Sequence, residues 1–376
     1  MARNLASIQR IADVSPIEGA DKIECVSILG WRLVSKKDEF RVNDLCVYIE
    51  IDSLLPTTPQ FGFMARYKYR VKTIKLRGQI SQGLALPLSE FPEIKNPQEG
   101  MDVTDLLGIS KYEKEDDAES GIQTPRKLDA VLKTLGIYKL VKKNRFLRVL
   151  FGYSKPSTSG GFPTHIISHS DETRIQSMPG FLDKAGGLSF TETEKLDGSS
   201  GTFAMEKRGW LQKKFYICSR KMRKHENDGS VWSRIYKKYK IKDVLSEIVS
   251  EYALKAIAIQ GEVIGPKIQG NPYRLTDLDF YAFRLKFIYR DGKCEVISPR
   301  NASLLLRTYG IKWVPFVGTL YYPNTVTVDE ILQRVEGPSL LCAETEREGS
   351  VFVNDYDPTI SFKAISNKYL IKKEKD

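Results

Sequence analysis

The sequence predicts an α+β protein in which a small barrel of short strands precedes a larger region of antiparallel sheets and helices. Two observations predict this class, and a third argues against membrane-spanning helices. The first hundred residues contain short runs of alternating apolar and polar positions, separated by turn residues. Residues after about 165 mix such runs with helical spacing and with hairpin signals such as Asp291-Gly292. Finally, no apolar run reaches the roughly 20 residues that a membrane-spanning helix needs.

The composition limits the chemistry that the chain can support. Its 376 residues include 58 Lys+Arg against 47 Asp+Glu, and the net charge of +11 favours a polyanion such as nucleic acid, a nucleotide or an anionic membrane, although solubility alone also explains it. The three histidines and five scattered cysteines form no zinc-ligand spacing. A bound metal would therefore be a hard ion such as magnesium, held by carboxylates and phosphate.

Three segments follow from the pattern along the chain. Residues 1–108 contain about five short strands, which favours an OB-like barrel. Residues 109–164 read as a connector with a helix near 127–137, and they end in a stretch rich in Ser, Gly and Pro. Residues 165–376 form the larger region. We also expect an intracellular, reducing compartment with no disulfide partner, because the start lacks a secretory pattern.

The larger region contains several local signals. Residues 188–205 read as strand, tight turn and strand. Apolar residues at helical spacing predict helices over 231–239 and 244–252, and residues 256–265 predict a strand. Thr327 and Glu330 form a capping box at the start of a further helix, which Gly337 should end.

The most informative run is Glu194-Lys195-Leu196-Asp197-Gly198. If it is strand, Lys195 and Asp197 project from the same face and Gly198 permits a sharp turn. A lysine beside a carboxylate can serve as a covalent nucleophile when its pKa is lowered, and we expect nearby positive charge to lower it here. A surface hairpin with a salt bridge fits the same residues.

The run and five later ones resemble, in order, the motifs of the covalent nucleotidyltransferases, which include RNA ligases, DNA ligases and mRNA capping enzymes. Each motif alone also fits a core or solvated position, and only their joint order over about 170 residues favours the family. The motifs are Lys195-Leu196-Asp197-Gly198, Cys218-Ser219-Arg220, Gln260-Gly261-Glu262, Asp279-Phe280-Tyr281-Ala282-Phe283, Glu348-Gly349-Ser350-Val351-Phe352 and Ser361-Phe362-Lys363.

The resemblance implies ATP as the nucleotide and a lysyl-adenylate on Lys195. It also implies that Glu194 reads the adenine amino group, that Phe283 stacks on adenine, that Arg220 contacts the ribose and that Lys363 contacts the α-phosphate.

The carboxylates available for a hydrated Mg²⁺ or Mn²⁺ are Asp197, Glu262 and Glu348, which would hold it through water. With Lys363, the ion would neutralise the charge that develops on the phosphoryl oxygens.

The layout is similar to that of type-5 RNA ligases, which carry an N-terminal OB domain before a nucleotidyltransferase domain of ATP-grasp-like antiparallel sheets and helices. Capping enzymes and DNA ligases place an OB domain after the last motif, and we expect none here, because Lys363 lies thirteen residues before the last residue. The type-5 pattern also covers Asp52-Ser53-Leu54-Leu55-Pro56 and the run that begins at Asp171-Glu172.

The resemblance implies an ATP-dependent RNA ligase that joins 3′-OH and 5′-phosphate ends, with a nicked duplex carrying an RNA 3′-OH strand as substrate. We expect a monomer. A DNA nick ligase and a catalytically inactive nucleic-acid-binding relative stay open as alternatives.

Two positions depart from the family pattern. Related ligases often carry a second lysine where this chain has Ile365, and Lys368 is the nearest substitute. His169 stands where relatives tend to have a lysine, and a structural histidine fits it better than a catalytic one.

Overall fold

The computed structural model describes residues 4–112, 161–169, 171–178, 180–209, 212–321 and 326–373. The helix predicted near 127–137 and most of the connector 109–164 lie outside the described residues. The boundaries predicted at 108 and 164 therefore stay predictions. Within the described ranges, no helix is both long enough and apolar enough to cross a membrane.

Within residues 4–112, the structure contains ten short strands and two stretches of 3-10 helix, Pro59–Tyr67 and Leu88–Glu90. Strands β1, β5 and β9 form one antiparallel sheet, β2, β3 and β4 form another, β7 pairs with β8, and β6 pairs with β10. The strands are β1 (Ala6–Arg10), β2 (Asp13–Pro16), β3 (Ile23–Ile28), β4 (Trp31–Lys36), β5 (Leu45–Ile49), β6 (Ser53–Leu54), β7 (Thr73–Leu76), β8 (Gln79–Gln82), β9 (Leu84–Pro87) and β10 (Ser110–Lys111).

Strand β5 is buried on both of its faces. Val47 and Ile49 pack with Ile8 in one apolar core, whereas Cys46 and Tyr48 pack in a second core on the opposite face. The alternation seen in the sequence therefore separates two cores and not core from solvent, so β5 has an apolar core on each of its faces.

Residues 161–373 form a smaller sheet in the order β19-β11-β20-β21 and a larger sheet in the order β14-β13-β12-β15-β16-β17, with β18 paired to β16. Every pair is antiparallel except β16 with β18. The strands are β11 (Ser189–Glu194), β12 (Ser199–Arg208), β13 (Gln212–Cys218), β14 (Arg223–Lys224), β15 (Ala256–Ile264), β16 (Asp279–Ile288), β17 (Cys294–Ile297), β18 (Lys312–Trp313), β19 (Phe316–Tyr321), β20 (Gly349–Asn354) and β21 (Ser361–Ile365). The helices are α1 (Phe181–Lys184), α2 (Val231–Lys238), α3 (Ile241–Glu251), α4 (Pro299–Thr308), α5 (Val328–Arg334) and α6 (Asn367–Lys373).

The chain crosses from the smaller sheet to the larger sheet through residues 195–198. The expectation that Lys195 and Asp197 alternate along one strand is wrong, because both lie between the end of β11 and the start of β12. Gly198 is needed for close packing, since a Cβ there would lie 2.5 Å from the Val263 carbonyl oxygen. The connection thus sits directly against β15.

Helices α2 and α3, which the helical spacing predicts, pack on the larger sheet through their apolar faces. Trp232 and Ile235 of α2, and Leu245 and Ile248 of α3, are fully buried in one core with Phe280 of β16. Burial of each such side chain contributes about 1.5–3 kcal/mol. The two helices therefore stabilise the strands that carry several of the predicted site residues.

Two turn signals in the sequence are confirmed. The Asp291-Gly292 pair joins β16 to β17 in a hairpin, with Gly292 at a φ of 89°. Thr327 and Glu330 form the predicted capping box of α5. That helix ends at Arg334, earlier than the predicted stop.

Residues 171–177 join the N-terminal strands to the two C-terminal sheets. Arg174 donates a hydrogen bond to Asp52 at 3.3 Å, and the Trp31 indole donates to Ser177 Oγ at 3.3 Å. Ser177 in turn donates to the buried Glu50 carboxylate at 3.0 Å. These hydrogen bonds hold side chains of the N-terminal strands against residues 171–177.

We expect Gly261→Ala to lower the free energy of unfolding by about 1–3 kcal/mol, because overpacking forces a rearrangement. A Cβ at Gly261 would lie 2.4 Å from the Phe280 ring and 2.5 Å from the Tyr281 carbonyl oxygen. Urea unfolding measures the change. Gly62→Ala is the control, since a Cβ there meets nothing within 4 Å, and an equal loss in both variants contradicts the packing argument.

Candidate active site

A cavity of about 740 Å³ lies between the smaller and larger sheets, and it is of the size that small-molecule sites have. All eight residues that the sequence predicts for the site line this cavity. They are Glu194, Lys195, Asp197, Arg220, Glu262, Phe283, Glu348 and Lys363. The tertiary structure thus brings together side chains that are up to 169 residues apart in the chain.

Lys195 is held at the junction of the two sheets. Its backbone N–H donates to the Gly349 carbonyl at 2.9 Å, and its ammonium donates to Glu348 Oε2 at 2.7 Å. Burial alone would lower the pKa of Lys195, but the nearby carboxylates of Glu348, Glu262 and Asp197 outweigh burial and raise it. The expectation that neighbouring positive charge lowers this pKa is therefore wrong for the protein's own groups.

Three carboxylates surround the Lys195 amine. Burial raises the pKa of Glu262 to about 8; Lys195 opposes this rise, and the negative charges of Glu348 and Asp197 add to it. Mutual repulsion of this kind is relieved when a cation enters.

Among the described residues, no three His, Cys, Asp or Glu side chains are arranged to ligate one ion directly. Carboxylate oxygens are the ligands that hard divalent cations prefer, and Mg²⁺ usually keeps several of its waters when it binds them.

Asp171 lies among the cations on the opposite wall. Its carboxylate accepts hydrogen bonds from Lys363 at 2.7 Å, from Arg220 at 2.9 Å and from Lys111 of β10 at 3.3 Å. Burial would raise the pKa of Asp171, but these three cations outweigh burial and lower it. Two of the residues predicted to contact a nucleotide thus share one carboxylate of the protein.

Lys363 loses its proton at a lower pH than an exposed lysine does. Burial lowers its pKa to about 8, the Asp171 carboxylate opposes that shift, and the positive charges of Arg174 and Lys195 add to it. An anion placed beside Lys363 would restore the ordinary pKa.

The apolar end of the cavity lies at β16 and β18. Phe280 is fully buried in the core, whereas Phe283 is only half-buried and lines the cavity. Glu194 Oε2 accepts from the Leu340 N–H at 2.8 Å. The second carboxylate oxygen of Glu194 and the indole N–H of Trp313 are buried and have no partner among the described residues. This end therefore offers an aromatic face, one acceptor and one donor.

Lys368, the nearest substitute for the second lysine of related ligases, does not line the cavity. Ile365 is buried and lines the cavity, while Lys368 is exposed and pairs with Glu336 at 3.0 Å, away from it. Lys373 instead reaches the cavity, and it pairs with Asp197 at 2.9 Å. The short helix α6 carries both lysines on different sides.

His169 supports the site without facing its reacting end. Its Nδ1–H donates to the Arg220 carbonyl at 2.8 Å, and its ring lies 4.2 Å from that of Phe162. These contacts agree with a structural histidine.

Sequence reasoning missed four residues that shape the cavity: Tyr273, Trp313, Tyr369 and Lys373. The spacing of Tyr369 and Lys373, four residues apart in one helix, is the only signal that could have found two of them. Tyr273 and Trp313 carry no local signal, because they reach the site from separate loops and strands.

Two protein families match the two parts of the fold. An OB-fold domain family matches residues 5–88, and the RNA ligase family matches residues 188–369. No curated protein matches the chain. The described strands and cavity thus belong to an OB-fold domain joined to a ligase domain.

Solved structures of the Naegleria gruberi RNA ligase match along the whole chain. An apo mutant is 31% identical with a TM-score of 0.80, covering 100% of this chain and 99% of that one. A mutant with ATP and Mn is 31% identical with a TM-score of 0.79, covering 99% of each chain. The form with PPi is 31% identical with a TM-score of 0.79, covering 100% of each. The chain therefore belongs to the RNA ligase family, and it is an enzyme of that class.

We expect Tyr273→Phe to lower the free energy of unfolding by about 1–3 kcal/mol, because a partly buried N–H loses its acceptor. The Tyr273 hydroxyl accepts from the backbone N–H of Asp197 at 2.6 Å. Urea unfolding measures the loss. The control is Tyr289→Phe, which removes a hydroxyl that contacts Glu295 in a surface hairpin. It should change the free energy of unfolding by less than about 1 kcal/mol. Similar losses in both variants would contradict the role given to the Tyr273 hydroxyl.

Proposed function

We propose that this RNA ligase uses ATP and a divalent cation, Mg²⁺ or Mn²⁺, to seal a nick through a lysyl-adenylate on Lys195. The observation that carries the proposal is the convergence of the Lys195 amine, three carboxylates and two further cations on one cavity. Relatives that are 31% identical over their full length have been solved with ATP and Mn, and with PPi.

The first step forms one bond and breaks one. The neutral Lys195 amine attacks the α-phosphorus of ATP in line with the departing pyrophosphate, and a P–N bond replaces the bond from phosphorus to the bridging oxygen. The products are the lysyl-adenylate, pyrophosphate and one proton. Because Glu348 stabilises the ammonium, the amine must lose its proton before it can attack.

Cations of the protein stabilise the charge that develops on the phosphoryl oxygens. Lys363 and Arg220 are the groups in place, and both bond to Asp171. A phosphate that enters the cavity pairs with Lys363 and Arg220 in place of Asp171, so binding exchanges one anionic partner for another. When bound to Asp197, Glu262 and Glu348 through its water, the divalent cation supplies positive charge beside Lys195 and the phosphate.

The apolar end is suited to the adenine base. Phe283 offers a ring face for stacking, and the unpartnered oxygen of Glu194 is an acceptor for the adenine amino group. Although burial raises the pKa of Glu194, in its ionised form this carboxylate only accepts and would repel the O6 of guanine, which supports ATP over GTP.

The later steps transfer AMP to an RNA 5′-phosphate, after which a neighbouring 3′-hydroxyl attacks and expels AMP. The roles of all eight predicted residues, the nicked duplex with an RNA 3′-OH strand, the monomeric state and a reducing intracellular location are parts of this proposal. The remaining alternative, a DNA nick ligase, is an outcome of the tests below.

Incubation with ATP labelled at the α- or the γ-phosphate tests the first step. Label should stay on the protein only from the α-position, and Lys195→Ala should abolish it. Lys368→Ala is the matched control, because Lys368 pairs away from the cavity, and it should label normally. Retention from GTP, or no label with either divalent metal, would overturn the proposal.

Sealing of nicks that differ only in the sugar at the 3′ end tests the substrate. We expect faster sealing with a ribose 3′-OH than with a deoxyribose 3′-OH, measured by single-turnover gel assays. Equal rates would favour a DNA nick ligase.

The affinity for AMP should fall about tenfold between pH ~7 and pH ~9, because the pKa of Lys363 is lowered to about 8. The sign follows from linkage: phosphate favours protonated Lys363, so above pH ~8 binding must take up a proton. Titration calorimetry measures the slope. Lys363→Arg should flatten it, since arginine keeps its charge, and an unchanged slope in that variant counts against this assignment.

A further inference from the structure

Helix α6 brings two polar side chains onto the Asp197 carboxylate. Lys373 donates to Oδ1 at 3.0 Å and to Oδ2 at 2.9 Å, and the Tyr369 hydroxyl donates to Oδ2 at 2.5 Å. Lys373 also donates to the Tyr369 hydroxyl oxygen at 2.7 Å. Positions four apart share one helix face, so the three groups form a closed set of hydrogen bonds.

The ion pair between Asp197 and Lys373 is shielded from solvent at its carboxylate. The side chain of Asp197 is 13% exposed, while that of Lys373 is 39% exposed. The backbone N–H of Asp197 is held separately, because it donates to the Tyr273 hydroxyl. Both carboxylate oxygens therefore have charged or hydroxyl partners, and the orientation of Asp197 is determined from α6.

Within the described residues of α6 (367–373), neither of the other two lysines takes this position. Ile365 fills the neighbouring wall with an apolar side chain, and Lys368 pairs with Glu336 outside the cavity. Lys372, next to Lys373, lies on the outer groove that also includes Glu346. Lys373 is thus the cation of α6 that acts on the cavity.

We propose that Lys373, supported by Tyr369, is a positioning residue that holds the Asp197 carboxylate and yields it to the divalent cation. The inference rests on the proposed function, because Asp197 is one of the carboxylates assigned to the hydrated ion. An ammonium and a hydrated metal ion both need the same carboxylate oxygens. Binding of the ion therefore competes with the Lys373 pair, and it releases a lysine beside the polyphosphate.

Titration of the full chain with Mn²⁺ in the absence of nucleotide, followed by the EPR signal of free Mn²⁺, tests the competition. Lys373→Met should bind Mn²⁺ about tenfold more tightly than the wild type, because the competing charge is gone. Lys373→Arg keeps the charge and should stay close to wild type. Lys372→Met is the matched control and should not change the affinity.

Asp197→Asn separates competition from a general change of charge. In a chain that already carries Asp197→Asn, adding Lys373→Met should leave the Mn²⁺ affinity unchanged within about twofold, because the shared carboxylate is absent. Equal tightening with and without Asp197, or no tightening by Lys373→Met, overturns the inference.

A structural role for α6 predicts a different result. If Lys373 and Tyr369 only anchor the helix, Tyr369→Phe and Lys373→Met lower the thermal midpoint and weaken or leave Mn²⁺ binding. Failure of the wild type to form a lysyl-adenylate would count against the ATP proposal alone, since the Mn²⁺ titration uses no nucleotide.

Discussion

The four-residue connection between β11 and β12 is the constraint on which the cavity depends. It must cross from one sheet to the other, and each of its parts is bonded to a different element. The Lys195 N–H binds the Gly349 carbonyl, the Asp197 N–H binds the Tyr273 hydroxyl, and Gly198 packs against β15. The Lys195 amine therefore lies at the junction of the two sheets, where residues from both can reach it.

Charge inside the cavity is balanced by the protein itself. Lys195 pairs with Glu348, Lys363 and Arg220 share Asp171, and Lys373 pairs with Asp197. The Lys195–Glu348 pair is the more buried of these, whereas Arg220 and Asp171 are each more than a third exposed. Each internal pair can be exchanged for a ligand of the same charge, which leaves the remaining charge paired. Glu262 is the exception: burial raises its pKa, and the negative charges of Glu348 and Asp197 add to the rise.

The N-terminal barrel takes part in the cavity and is not a separate attachment. Lys111 of β10 reaches Asp171, and Arg174 reaches Asp52. The segment 171–177 carries most of these contacts, and it also places Asp171 between Lys363 and Arg220. Barrel and ligase sheets are therefore coupled through the same residues that organise this wall of the cavity.

Sequence alone determined the class of fold, the order of barrel before ligase sheets, the helices at α2 and α3, the hairpin at Asp291-Gly292 and the eight residues that share the cavity. The elements depend on local periodicity and turn chemistry, and the eight residues on the resemblance of short ordered motifs to those of the nucleotidyltransferases; both are readable without contacts. Tertiary structure decided the rest: that Lys195 lies between strands, that its pKa is raised, and that Lys373 and not Lys368 serves the cavity. The reason is that a pKa and a helix face depend on distances between elements far apart in the chain, and local patterns contain no such distances.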